Sequence, residues 1–494
     1  MELNQHNLSQ LRGSIKIPDY DRSSLKTGIV HVGVGGFHRA HQAVVVQKLL
    51  EMGANEDWGI CGVGLREGDR KIAEIFKKQD CLYTLITRHP NGKVETEVMG
   101  QMVDFLLAPD DKQVVIDRMA HPDTKIVSLT ITEGGYNVKA DGEFDINNTD
   151  IQYELKNSED PRTIYGYLLA ALKKRRDKGQ PPFTIMSCDN IQHNGDVTRK
   201  MMLSFAENAD QELAGWIASL VAFPNSMVDR ITPVTTHSEM DYLRDEFDLV
   251  DEWPVTCEPF LQWVIENKFS NGRPDFNMVE GVQFVQDVTP YEKMKIRLLN
   301  AGHSVLGIFG ALMGIKTINA CIENEVLSRV LQRFWDRESI PILDEVEGID
   351  LNDYKESLLE RFSNPNIKDN VSRICSESSA KLPKFLLPTI EENLSSGGAI
   401  EIGTLLVACW CLYSDKQTDL NGHPLDIIDA MKDKLSLAAQ TSEDKLAFLR
   451  IHEVFGDLVE NETFKGLYIR NVNQIYGNPD FNFKTFLNTH YNKH

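Results

Sequence analysis

The sequence predicts an α/β protein in two parts: a doubly wound, largely parallel sheet domain over residues 1–285 and a mainly α-helical domain over residues 286–494. Three observations carry this expectation. Short apolar runs alternate with helical patterns through the first half, strand signals stop after about Thr289, and a train of helix-like segments follows. Alternation of this kind means βαβ units. At 494 residues the chain also exceeds what one ordinary core holds, so two domains are expected.

The elements follow in order. Ile29–Gly33 reads as a strand and Phe37–Met52 as a helix, with further strands at 58–65, 125–131 and 183–188. The polar stretch from Lys139 to Arg162 reads as a surface excursion with little regular structure. Beyond Pro290, which suits a first helical position, helical patterns cover 291–316, 321–336, 351–363, 386–395, 399–413, 425–437, 442–455 and 480–491.

Composition narrows the function. Apolar residues at 41% and charged residues at 25% describe an ordinary globular chain. A net charge of −21 argues against nucleic acid and anionic membranes as partners. The start, Met1 to His6, has neither a basic segment nor an apolar core, so no secretory signal is expected. Ala399–Tyr413 is apolar but interrupted by Glu401 and too short to span a bilayer; it reads as a buried helix. The eight cysteines form no CxxC pair and no Cys/His ligand pattern. A reducing compartment, hence a cytoplasmic location, is expected, with no structural metal.

Gly28 to Ala40 runs strand, glycine turn, helix start. Glycines there let the backbone approach a pyrophosphate seated on the helix N-terminus, which points to a Rossmann-like dinucleotide site with Gly33, Gly35, Gly36 and Phe37 as its contacts. Gly33 and Gly35 fill the first two places of G-x-G-x-x-G, but His38 stands at the third. An acid after the second strand would bind ribose hydroxyls, and Glu67 and Asp69 are the candidates. They favour NAD, whereas Arg66 and Arg70 could pair with the extra phosphate of NADP.

The run Tyr291–His303 places Lys295, Asn300 and His303 on one helix. At about 100° per residue, His303 and Asn300 lie roughly 80° and 140° around the axis from Lys295, so the three share a side facing water or a pocket. Oxidising an alcohol needs a proton acceptor and donors to the developing alkoxide, and no metal-ligand set supplies either. Lysine titrates near about 10.4 when free, but burial and charged neighbours can bring it into the working range of a base. Lys295 is therefore the candidate base, with Asn300 and His303 as donors. Asn190, just past a parallel strand, could complete an oxyanion hole. Glu292, three residues before Lys295, is either a proton relay or an ordinary i,i+3 ion-pair partner.

Val221–Pro233 resembles the signature of the mannitol dehydrogenase family of polyol-specific long-chain dehydrogenases. Gly33–Gln42, Ser128–Tyr136, Met186–Asn190, Cys257–Phe260 and Lys295–His303 resemble it too, in the expected order along nearly the whole chain. The resemblance implies metal-independent, NAD-dependent oxidation of a polyol at C2, with mannitol and fructose as the pair. It implies Lys295 as general base, Asn190 and Asn300 as the oxyanion pair, His303 orienting the substrate, and Asp229 on a sugar hydroxyl. Arg373 and Lys381 match family positions that hold the far hydroxyls. It also implies a monomer, and a site in the cleft between the two domains. One departure concerns the cofactor: relatives carry an acid directly before the residue matching Asp69, where this chain has Gly68. Rival readings are a fructuronate or tagaturonate reductase, a D-arabinitol dehydrogenase, and a nucleotide-binding sensor without turnover.

Overall fold

The computed structural model describes residues 1–53, 56–139, 141–367, 369–440, 444–477 and 482–491. The chain divides into two compact units, Met1–Thr289 and Pro290–His494.

In the first unit, β1 (Thr27–Val32) and β2 (Gly59–Gly64) are buried along their whole length, as expected of parallel strands covered on both faces. A hairpin of β3 (Tyr83–Arg88) and β4 (Val94–Met99) leaves the sheet, and β5 (Met102–Leu107) returns to its edge. Then β6 (Ile126–Leu129) and β7 (Thr184–Ser187) add to the other side. The result is a parallel five-stranded sheet in the order β5-β2-β1-β6-β7. Its order reverses at β1 and β6, the place where doubly wound sheets bind ligands.

Two smaller sheets complete the unit. One joins β8 (Ser226–Asp229) to β10 (Gln262–Glu266) and β11 (Val282–Val285); the other adds β9 (Val255–Cys257) to the hairpin. None of these short strands stood out as an apolar run. In β4 and β5 the apolar residues are interrupted by Glu95, Glu97 and Asp104, which lie on strands at the margin of their sheets. The segment read as one helix from Phe37 is two, Gly36–Ala40 and Gln42–Glu51, because His41 leaves helical geometry at φ −124° and ψ −90°. The polar stretch after Lys139 contains a helix, Thr149–Glu154, started by the Asn148 side chain.

The second unit is helical. Glu401–Lys416, started by the buried carboxylate of Glu338 on the amides of Ile402 and Gly403, is buried from Ile402 to Ser414. No helix among the described residues is long and apolar enough to cross a membrane. Three expectations fail here. The segment 425–437 is helical only over Lys432–Ala439. Of the segment 442–455, residues 442 and 443 lie outside the described residues; the rest forms a short 3₁₀ turn at Phe448–Arg450 and one helical turn at His452–Phe455. The helices Ser378–Phe385 and Glu462–Tyr476 were not anticipated; the first carries Pro383 inside it, which argues locally against a helix. For 480–491, residues 480 and 481 lie outside the described residues and Phe483–Tyr491 is helical.

Candidate active site

The glycine turn closes at the reversal point of the sheet. Gly33 sits at φ +92°, and a Cβ there would lie 2.1 Å from the carbonyl oxygen of Thr130, just beyond β6. No other residue fits. A Cβ on Gly35 would meet nothing closer than 3.9 Å, so the outer side of the turn is open. Gly36 begins the helix, and Phe37 stacks on His41 with ring centroids 4.9 Å apart. His38, at the place of the third glycine, is buried and stacked on His31 at 3.4 Å. His31 Nδ1 lies 2.8 Å from Ser128 Oγ and Nε2 lies 2.9 Å from Thr130 Oγ1, while Thr130 Oγ1 donates to Gly33 O at 2.6 Å. Burial holds His31 down to about 3 and His38 well below the usual histidine range, so both are neutral supports of the turn.

The two acids after β2 differ. Asp69 is half-buried against Gly64, and its carboxylate accepts from the Arg66 amide at 3.0 Å. Glu67 is exposed and forms an ion pair with Arg70, whose guanidinium also meets Asp110 at 2.8 Å. Arg70 is thus neutralised by two carboxylates.

Asn190 follows β7 and is exposed, whereas Asp229 ends β8 and is buried. The residue before Asn190 gave no signal in the sequence. The Asp189 carboxylate accepts from the amides of Ile131 and Thr132, each at 2.9 Å, and from the Tyr136 hydroxyl at 2.6 Å. Thr132 has φ +61°, a conformation that costs a β-branched residue on the order of 1–3 kcal/mol. Asp189 therefore ties a strained loop after β6 to the turn carrying Asn190.

In the second unit Lys295, Glu292 and His303 are all buried, so of the two expected settings, water or a pocket, open water is the one that does not apply. The helical phase is corrected as well. Between the α-helical stretches Thr289–Lys295 and Ala301–Leu312 lies a π-helical turn, Ile296–Asn300. The wider turn changes the angle from Lys295 to Asn300 and His303, and such turns recur at functional sites. Trp335 donates its indole N–H to the Leu298 carbonyl within that turn at 2.9 Å. A Cβ on Gly302 would lie 2.9 Å from the same indole, so glycine lets the ring approach. His303 stacks on Phe362 at 4.2 Å, and Phe362 in turn contacts Trp335. The Asn300 side-chain oxygen is buried with no hydrogen-bond partner.

Arg373 lies on the short helix Val371–Cys375, whose Ile374 packs against Gly307 of the long helix. It donates through Nε and Nη2 to a single oxygen, Oδ1 of Asp369, at 2.9 and 2.6 Å. The other oxygen of Asp369 lies 3.8 Å from His303 Nε2. Lys381 Nζ donates to the carbonyls of Arg373 and Ile374 and to Ser376 Oγ, at 3.4, 3.2 and 3.5 Å. Burial, then the neighbouring Arg373 charge, lowers its pKa. Lys381, Arg373, Asp369 and His303 thus form one connected group. Asp369 was missed by sequence reasoning, although its i,i+4 spacing from Arg373 was a usable signal. Among the described residues no group of three or more His, Cys, Asp or Glu side chains is placed to hold a metal ion.

Residues 27–278 match the model of the mannitol dehydrogenase Rossmann domain, and residues 287–476 that of the mannitol dehydrogenase C-terminal domain. The chain belongs to the mannitol dehydrogenase family. Within this family it is 44% identical over 469 residues to a mannitol 2-dehydrogenase of Neosartorya fischeri, covering 92% of this chain and 93% of that one. It is likewise 44% identical over 456 residues to one from Pyricularia oryzae, covering 91% and 90%. Its structure is similar to that of Pseudomonas fluorescens mannitol 2-dehydrogenase in ternary complex with NAD and D-mannitol, with a TM-score of 0.87, 43% identity and 99% of each chain covered. A substrate-free D-sorbitol dehydrogenase also matches at a TM-score of 0.87, with 38% identity over 96% of each chain. As a family member the protein is a polyol dehydrogenase.

Proposed function

We propose that this protein interconverts D-mannitol and D-fructose by oxidation and reduction at C2, with NAD as cofactor. The observation that carries the reading is the likeness, along almost the whole chain, to an enzyme solved with NAD and D-mannitol, in a chain that keeps Lys295, Asn300 and His303 on one buried helix. The glycine turn fits a dinucleotide, because Gly33 admits no side chain and the space over Gly35 is open. Gly33, Gly35, Gly36, Phe37 and Asp69 would hold NAD, which supplies the hydride acceptor when bound. Glu67 is engaged with Arg70. Arg70 is neutralised and the Asp69 carboxylate opposes a 2′-phosphate, leaving Arg66 as the opposing cation on that loop, so NAD is preferred to NADP.

Lys295 takes the C2 hydroxyl proton as general base. Asn190 and Asn300 donate to the oxygen as charge develops, and His303 orients the hydroxyl. Glu292, one helical turn before Lys295, passes the proton on. Asp229, Arg373 and Lys381 hold the remaining hydroxyls. The protein acts as a monomer in the cytoplasm, where its eight free, buried cysteines stay reduced.

Steady-state assays of Lys295→Ala test the mechanism. Mannitol oxidation at neutral pH should fall by about 10²–10⁴-fold, and near-normal turnover would remove the lysine from its role. A panel of mannitol, arabinitol, sorbitol, fructose and fructuronate tests the substrate; a preference for any but mannitol and fructose would overturn that part.

A further inference from the structure

We infer that Asp369 decides the class of substrate accepted: it neutralises Arg373 in advance, so that a neutral hydroxymethyl end is taken and a carboxylate end is refused. The inference rests on the proposed roles of Arg373 and Lys381 at the far end of the substrate. A guanidinium with its edge free binds a carboxylate through two parallel hydrogen bonds. Here Nε and Nη2, the side edge of the guanidinium, are both spent on Oδ1 of Asp369, so an incoming carboxylate is left the Nη1/Nη2 end of a cation whose charge is already matched. The side chain of Asp369 is only 8% exposed whereas that of Arg373 is 55% exposed, so the negative charge lies behind the positive one, shielded from water.

Lys381 supplies no second fork. Lys381 directs its ammonium at two carbonyls and a hydroxyl around the end of the short helix. Oδ2 of Asp369 faces His303 Nε2 at 3.8 Å, so the same carboxylate adds its field to the neighbouring candidate residue. An incoming carboxylate would meet a guanidinium already paired and a buried negative charge a few ångströms away, where repulsion is only weakly screened. A hydroxyl needs one donor and carries no charge, so the remaining Nη1 serves it. Sugars that differ only at this end, fructose from fructuronate and mannitol from mannonate, are thereby told apart by a group that touches neither.

Asp369→Asn removes the charge and nearly keeps the shape. The ratio of kcat/KM for fructuronate to that for fructose should rise about tenfold or more, and mannonate should become a correspondingly stronger competitive inhibitor of mannitol oxidation. Asp369→Glu keeps the charge and should leave the ratio low, which a merely structural role would not predict. If Asp369→Asn does not fold, Asp369→Ser carries the same test. An unchanged or lower ratio would overturn the inference, as would a wild-type protein that prefers fructuronate. Calorimetric binding of mannonate to wild type and Asp369→Asn, with NADH present so that no hydride can pass, reads the same charge effect without turnover. Inactivity on every sugar would then sink the proposed reaction, whereas unchanged mannonate affinity would sink the role of Asp369.

Discussion

The two regions that carry candidate groups are held in irregular conformations by opposite means. In the N-terminal unit the loop after β6 is strained at Thr132, and a buried carboxylate, Asp189, collects the backbone donors that the loop presents. In the C-terminal unit the helix widens into a π turn, and a buried indole, Trp335, donates to a backbone carbonyl there. One anchor is an ionisable acceptor with three donors; the other is a neutral donor with one acceptor. The lesson is that strain at a site is held by a side chain of complementary polarity, and that its strength depends on charge and on the number of bonds. Charge-assisted hydrogen bonds are about twice as strong as neutral ones, so the two anchors should not be equal.

Asp189→Asn should produce the largest effect, because the amide offers one acceptor and turns a donor toward another donor. Stability should fall by about 3 kcal/mol and kcat on mannitol by about 100-fold, with NADH affinity little changed. Denaturant melts and steady-state kinetics check both, and a wild-type kcat would break the link to Asn190.

Gly302→Ala comes next. Its methyl meets the indole at 2.9 Å, costing about 2 kcal/mol through overpacking, and Trp335→Phe in the same chain should recover part of that by removing the atoms met. Strict additivity in the double mutant would show that the ring and the glycine are not coupled. Trp335→Phe alone should cost about 1–2 kcal/mol for the unmade bond to Leu298 and lower kcat less than Asp189→Asn does.

The smallest effects concern pH. His31 has a folded pKa of about 3 against an ordinary 6.5. Its neutral burial therefore supports the fold above pH 6.5, and the support is lost as pH falls from 6.5 toward 3. Glu338 runs the other way. Burial pushes its carboxyl up to about 8 from 4.5, so the folded state holds a proton that the unfolded state has released, and stability declines as pH rises from 4.5 to 8. Melting temperatures of His31→Asn and Glu338→Gln against pH should flatten the acid limb in the first and the alkaline limb in the second. Parallel curves for wild type and both variants would refute this assignment.

How much of the site was legible depended on how far its forces reach along the chain. The glycine turn is a local matter: Gly33 must have positive φ, and an apolar strand precedes it. The segment 291–303 was legible as a helix carrying a base and donors. Its angles were not, because the turn is widened where Trp335, 37 residues away, bonds to Leu298. Asp189 had no spacing to betray it, since its donors come from a loop 53 to 58 residues earlier. The short strands β3, β4 and β8 to β11 were missed because each has only three to six residues and mixes polar with apolar side chains, although β3 and β8 to β10 are almost wholly buried. Pro383 and the break between the two short helices, where Glu377 has φ +53°, hid the helices that carry Arg373 and Lys381.

By itself the sequence determined a doubly wound sheet followed by helices, the glycine turn with its histidine at the third place, and the presence of lysine, asparagines and histidine in family order. These follow from residue type, period and chain order, which are local quantities. Only the tertiary structure decided the phase of the Lys295 helix, the burial of its polar side, the anchoring of the Asn190 loop and the pairing of Arg373. Each of these depends on which donor finds which acceptor across folded space, and on how far water is excluded from the pair. A sequence lists the groups; packing sets their partners and their charge.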